Sequence, residues 1–430
     1  MIAPEDIRGA GEVAAPPAAA VRPGGGATVT KAMLEGYRVL DLSQYLAGAG
    51  ITRLLAELGP EIIKVELAPG GDPSRLLRWV EDGRSSVFIQ NNRGKRSLCL
   101  DWDTDDGMRI IRELVPRCDV VVENFANGVL ERRGLHYEAL RELNPAIVMV
   151  SISAYGQTSP WADRPGFDGI IQATSGVMAL TGPPDGPPSP VGFAIADNST
   201  AVHGFAALGY ALLHRERTGE GQHVDIAMAD VMFGLQDQMA QYELSGRTWR
   251  PGRYGPHHPM YCPIGTFRLP DGFAFLLVLD RQWPNLCRAM DRLDLVDDPR
   301  FADNNARSAN QGVLNPIIQD WLLSFPDNDA VAAACLEHRV PLGEVFDPSD
   351  ADGHPHFEAR DMVRRVPDPV LGEVTIAGYP FKFSAQPELP AIEAPVLGQH
   401  NREVLSTLLG YDGDTIDALA AAGVLHQADR

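Results

Sequence analysis

The sequence predicts an α/β fold, a parallel sheet flanked by helices and followed by a smaller α+β domain. Three observations predict it. Short runs of apolar, often β-branched residues alternate with helical patterns from Gly36 to Gly246. Those runs are apolar without a polar face, as strands covered on both sides of a parallel sheet are, and strand–helix alternation implies right-handed crossovers between parallel strands. Beyond Gly246 the alternation stops and the texture changes. A chain of 430 residues is long enough for two or three domains.

The elements follow in order. YRVLDLS (37–43) reads as the first strand, and YLAGAGITRLLAELG as a helix that stops at Gly59. EIIKVEL (61–67) and SLCLDW (97–102) are strands. TDDGMRIIRELV is a helix with acids in its first turn, where they meet the positive end of the helix dipole. DVVVENF (119–125) and AIVMVSIS (146–153) are further strands. FDGIIQATSGVMALTG (167–182) reads as one helix before the turn PPDGPPSP. ADNSTAVHGFAALGYALLHRERTG (196–219) begins with cap residues and ends on Gly219. HVDIAMAD (223–230) reads as the last strand of the block and DVMFGLQDQMAQYELSG as one long amphipathic helix. The organisation expected is a large domain over 34–246, a linker over 247–270 rich in Pro, Gly, His and Tyr, and a small domain over 271–345. A return linker and a C-terminal part of the large domain fill 346–430, with NREVLSTLLG as the closing helix. Residues 1–33, rich in Ala, Pro and Gly, lack the basic start and apolar core of a signal peptide and read as disordered, which makes Met33 an alternative start.

Composition narrows the function. Hydrophobic residues are 44% of the chain, and no stretch free of charge is long enough to span a bilayer. Acids outnumber bases 57 to 37, a net charge of -20, which repels polyanions and argues against nucleic acid as a partner. Any site for an anionic cofactor must then be a local basic exception. The five cysteines (99, 118, 262, 287 and 335) are odd in number and form no C-x-x-C pair, a pattern of reduced thiols in a cytoplasm.

The common catalytic signatures are missing: there is no G-x-G-x-x-G after a strand, no Walker loop and no G-x-S-x-G elbow. His257, His258 and Cys262 in HHPMYC lack the spacing of a metal site, so no metal is expected. Asp197 stands out because it opens a predicted helix. A carboxylate there accepts backbone N–H bonds and feels the helix dipole, both of which favour the charged form, and an ionised carboxylate attacks a thioester carbonyl. From these residues alone a plain N-cap is the far commoner reading of such an Asp.

The blocks around Asp197 settle between these. YRVLDLSQYLAGAG, IIKVEL with PGGDPSR, NRGKRSLCLD, DVVVENFANGVLERRGL, LNPAIVMVSISAYGQTSPWADRPGFDGIIQATSG, LLHRERTGEGQHVDIAMAD, HPHFEARDMV and APVLGQHNREVL occur in that order from residue 36 to about 410. Together they resemble the signature blocks of family III CoA-transferases of the CaiB/BaiF type. The resemblance implies a Rossmann-like large domain and an interlocked homodimer whose site lies between one large domain and the partner's small domain. It implies Asp197 as the nucleophile, passing through a mixed anhydride and an aspartyl-CoA thioester, with no permanently bound cofactor and with coenzyme A and acyl-CoA as substrates.

The resemblance also carries over cofactor contacts: Gln44, Tyr45 and Ala47 after the first strand, Arg96, Leu100, Asn124, Phe125, Arg132 and its neighbour Arg133. Arginine suits phosphate because its planar fork binds two oxygens at once, although Arg132 and Arg133 read equally as a solvated helix face. Gln44 stands where some relatives carry His, and Leu67 where relatives often carry Arg. Racemases of the family use a His where this chain has Phe167, next to Asp168. Phenylalanine cannot take a proton, so transfer is favoured over an acyl-CoA racemase, dehydratase or lyase, or a non-catalytic acyl-CoA-binding protein. Asp168 either supports the site through hydrogen bonds or caps its own helix. The glycine-rich loop of some oxalate-using members is not evident.

Overall fold

In the computed structural model, which describes residues 32–386 and 388–428, the apolar runs become six parallel strands. They are β1 (Arg38–Asp41), β2 (Glu61–Leu67), β3 (Arg96–Leu100), β4 (Val120–Glu123), β5 (Val148–Ser153) and β6 (His223–Ala227), in the spatial order β3-β2-β1-β4-β5-β6. The disorder expected of residues 1–33 falls, apart from Ala32 and Met33, outside the described residues.

Alternation along each strand divides the side chains between two cores. Val39, Ile62, Val120 and Val148 pack on one face, together with α1 (Ala47–Ala56) and α3 (Ile195–Thr218); α2 (Asp168–Thr174) lies beside them. Leu40, Ile63, Val121 and Met149 pack on the other, against the helix Asp105–Leu114. The chain returns to this second face at its C-terminal end, where Val404, Leu405, Ile416 and Leu419 join the same core. Helix Gly413–Ala421 follows the closing helix Asn401–Leu409, one element more than the sequence suggested.

A third core runs from Cys262 to Val340. It is built on the antiparallel strands β7 (Ile264–Arg268), β8 (Phe273–Leu277) and β9 (Leu342–Glu344), in the order β9-β8-β7. Beyond it, β10 (Val363–Asp368) and β11 (Gly372–Ala377) form a hairpin tied back to the first part of the chain by Arg84, whose guanidinium pairs with Asp368 at 2.7 Å.

Two predicted helices are broken. The stretch 167–182 is split by Gly176 at φ +93°, a left-handed conformation that glycine adopts without steric cost; Val177–Leu180 is a separate turn of helix. The expected long helix after residue 229 is likewise two, Met228–Gly234 and Gln238–Leu244, and the first begins inside the residues read as strand.

The contact that positions the site is between α1 and α3. A Cβ on Gly50 would stand 2.7 Å from Cβ of Ala201, and one on Gly204 would stand 2.3 Å from Cδ1 of Ile51. Only glycine permits so close an approach. The pairs advance in the same direction along both helices, so their N-terminal ends lie side by side. One turn before Gly50 is the loop that leaves β1; one turn before Ala201 is Asp197.

Candidate active site

The strand order reverses between β1 and β4, and in open parallel sheets ligands bind at the carboxyl ends of the strands at such a switch point. Here the loop leaving β1 is held in place at nearly every polar backbone group. The buried carboxylate of Asp41 accepts the Ser43 N–H at 2.9 Å and the Ser43 hydroxyl at 2.5 Å, and Nζ of Lys64 donates to the Ser43 carbonyl at 2.8 Å. Gln44 and Asn124 hold each other across the switch point. The Asn124 Oδ1 accepts the Gln44 N–H and its Nδ2 donates to the Gln44 carbonyl, both at 2.8 Å. The Tyr45 N–H donates to Oδ1 of Asp72 at 3.1 Å. Asp72 in turn pairs with Lys64 at 2.8 Å, with both side chains shut away from solvent. The Lys64 ammonium, held between Asp72 and Asp41, pulls the Asp72 carboxyl below its usual range against the opposing effect of burial.

Ala47 opens α1 and is buried. On the other side of the switch point, the Phe125 N–H donates to Glu123 at 2.9 Å and its ring lies 4.9 Å from that of Trp102. Burial pushes the Glu123 carboxyl up to about 7.

The arginines divide by what they touch. Arg132 is exposed and has no hydrogen-bond or ion-pair partner among the described residues, so its fork is open to a phosphate. Arg133 is occupied: its guanidinium lies 4.1 Å over the Trp102 ring and donates to the Trp102 carbonyl at 3.1 Å and to Asp103 at 2.5 Å. Arg96 is bound to Glu61 at 2.5 Å and lies 3.4 Å from Glu403. The Leu100 side chain is wholly inside the core, which leaves only its backbone within reach of a ligand.

Asp197 differs from the sequence expectation in one important way. It is the third residue of α3, within the first turn instead of at its cap, and its carboxylate accepts no hydrogen bond among the described residues. The cap is supplied by Asp168, the first residue of α2. Its Oδ1 accepts the N–H of Ala196 at 2.7 Å and of Asp197 at 3.3 Å, while its Oδ2 accepts from Gln172 at 2.6 Å. Asp168 therefore caps the helix that carries Asp197 and not, as the sequence suggested, its own, whose cap position is Phe167 with no side-chain bond. Burial, reinforced by the Asp168 charge, pushes the Asp197 carboxyl up to about 7, the reverse of the depression expected for an N-cap. What the site presents is a half-buried carboxylate with no donor holding it, beside a braced loop.

Comparison with known proteins identifies the family. Residues 34–401 match the model of CoA-transferase family III. The chain belongs to that family. The transferase is 37% identical over 398 residues to the succinyl-CoA–D-citramalate CoA-transferase of Chloroflexus aurantiacus, covering 91% of this chain and 98% of that one. It is 40% identical over 384 residues to the succinyl-CoA:mesaconate CoA-transferase of Haloarcula hispanica, covering 86% and 95%. Among solved structures, the crystal structure of a CaiB/BaiF family protein from Brucella suis superposes with a TM-score of 0.77 at 35% identity, covering 87% of this chain and 99% of that one. Among the described residues, no helix of the transferase is long and apolar enough to cross a membrane.

Three residues that brace the candidate site were not singled out in the sequence. Lys64 was readable, since a lysine inside the apolar run IIKVEL must find a partner when it is buried. Asp72 was half readable, as the acid before Pro73 that caps a short helical turn. Trp102 carried no signal, because its partners Phe125 and Arg133 are more than twenty residues away.

Proposed function

We propose that the enzyme moves coenzyme A from an acyl-CoA thioester to a short dicarboxylic acid through covalent intermediates on Asp197. The observation that carries this reading is the state of the Asp197 carboxylate. Among the described residues no donor holds it, burial and Asp168 raise its basicity, and a carboxylate freed of hydrogen bonds is a better nucleophile than a solvated or capped one. Its oxygen attacks the thioester carbonyl and expels CoA thiolate, leaving a mixed anhydride. The thiolate then attacks the Asp197 carbonyl of that anhydride, which frees the donor acid and forms an aspartyl-CoA thioester. The acceptor carboxylate repeats the two steps in reverse order, and Asp197 is regenerated as a carboxylate. Electrons and atoms balance without a metal, a redox group or a permanently bound cofactor.

Gln44, Tyr45, Ala47, Asn124 and Phe125 line the switch point in this reading, and Arg132 meets a phosphate of the nucleotide. The relatives named above act on succinyl-CoA with D-citramalate or mesaconate, and the succinate–glutarate CoA-transferase of Agrobacterium fabrum is 38% identical. These names support a diacid as acceptor. Phe167 offers no proton acceptor at the position used by racemases, which favours transfer over racemisation.

The working unit in this reading is an interlocked homodimer in the cytoplasm, with a large domain over 34–246, a small domain over 271–345 and linkers between them. Phe193 just before α3, with Val202, Tyr210 and Leu213 on α3, leaves an apolar surface that a second chain would cover.

The test is an exchange assay with succinyl-CoA and a panel of free dicarboxylic acids, in which new thioesters are followed by mass spectrometry. Transfer to at least one diacid, lost in Asp197→Ala, is expected. Turnover that needs no second acid, or that survives Asp197→Ala, would overturn the proposal.

A further inference from the structure

Tyr45 is one of the few residues other than glycine with positive φ, at +59°. That conformation costs a tyrosine energy which glycine or asparagine would largely avoid. Strain of this kind persists where surrounding contacts impose it, and here they do: the Tyr45 N–H is held by Asp72, and the residue before it by Asn124. The result is a ring aimed across the site. It meets Phe167 edge to face, with centroids 6.1 Å apart and planes at 79°. Phe167 immediately precedes Asp168, whose carboxylate bonds the backbone of Asp197. It is 67% exposed, a large apolar ring left uncovered within one side chain's reach of the nucleophile.

A solvent-facing phenylalanine held by a strained tyrosine does nothing for the core. Neither ring belongs to the hydrophobic clusters that flank the sheet. The Phe167 ring carries no ionisable group. What the pair supplies is bulk at a fixed place. Phe167 adjoins Asp168, which bonds the backbone of Asp197, so the pair stands beside the start of the helix that carries Asp197.

We propose that Tyr45 and Phe167 form an aromatic wall that limits the length of the carboxylic acid accepted at Asp197, admitting four- and five-carbon diacids and excluding longer ones. This rests on the reading of Asp197 as the covalent acceptor of CoA. Phe167 sets the depth available to the acid chain, and Tyr45 holds Phe167 by its edge-to-face contact, with Asp72 fixing the Tyr45 backbone.

The experiment measures kcat/KM for unbranched diacids of four to eight carbons as acceptors, with succinyl-CoA as donor, in wild type, Phe167→Ala and Phe167→Trp. Phe167 is mostly exposed, so its removal leaves the fold intact. The expected result is a wild-type preference for the short diacids. In Phe167→Ala the ratio of seven-carbon to four-carbon activity should rise at least tenfold, and in Phe167→Trp it should fall. An unchanged ratio in both variants overturns the wall, as does a uniform loss for every acid, which would place the rings against the CoA ester instead. Absence of any transfer in wild type would count against the reading of Asp197 itself, and is distinguishable from both.

Discussion

Oδ1 of Asp168 accepts the backbone N–H of Asp197 at 3.3 Å and that of Ala196 at 2.7 Å. One carboxylate thus occupies the N-terminal donors of the helix that carries the other. Asp197 is left with neither a cap bond nor the dipole's full attraction, and it faces a like charge. Its carboxyl is pushed up to about 7, by burial first and by Asp168 second.

Attack on a thioester needs the ionised form. Transfer should therefore be slow below neutrality and rise with pH through about 7, as Asp197 loses its proton. Asp168→Asn keeps an oxygen for the two N–H groups but removes the charge, so the midpoint of the rate profile should move to lower pH. The pH profiles of kcat/KM, which report groups of the free enzyme, check this for the two proteins; coincident midpoints would contradict it.

The same shift makes a stability prediction of opposite sense. The folded carboxyl titrates above its unfolded value of 3.8. As pH rises from about 4 to about 7, the unfolded chain releases a proton that the folded chain still holds, so stability from this group falls across that window and stays low above it. Asp197→Asn should match wild type in thermal unfolding near pH 4 and exceed it at pH 8, by roughly 2 °C.

The Lys64–Asp72 pair is closed to solvent on both sides. Removing one partner strands the other charge, a loss of about 3–5 kcal/mol for buried pairs, whereas replacing both by apolar groups is much milder. Denaturant unfolding should show Lys64→Met and Asp72→Leu each strongly destabilised and the double variant less so than either. Transfer should stay impaired in the double variant, because the Tyr45 N–H has lost its acceptor.

Adjacent arginines should behave differently. Arg132→Ala removes a cation with no partner among the described residues, so KM for the CoA ester should rise about tenfold, the worth of one charge-assisted bond, with little change in unfolding. Arg133→Ala removes the stack on Trp102 and the bond to Asp103 and should lower the unfolding midpoint. Steady-state kinetics and thermal scans on the two variants separate these outcomes.

Much of the architecture was legible before any coordinates. Runs such as EIIKVEL and VMVSIS place Ile62, Ile63, Val65, Val148, Met149 and Val150 in one or other of two cores, and a parallel sheet follows from their alternation with helices. The breaks in the helices were less legible, because at Gly176 a single left-handed residue outweighs a helical pattern that continues on both sides. The electrostatics of the candidate site were not legible. Asp197 lies in a motif that marks it, but the residue that caps its helix is 29 positions earlier. An Asp near a helix start reads as charge-stabilised unless that competitor is known. Likewise, Arg96 and Arg133 read as phosphate ligands while their partners Glu403 and Asp103 remain unseen.

The most direct measurement is to mix the enzyme with succinyl-CoA in the absence of an acceptor, trap with borohydride or hydroxylamine, and map the modified peptide by mass spectrometry. The modification should fall on Asp197 and be absent from Asp197→Asn. A modification on another residue, or none during demonstrable turnover, would contradict covalent transfer through Asp197.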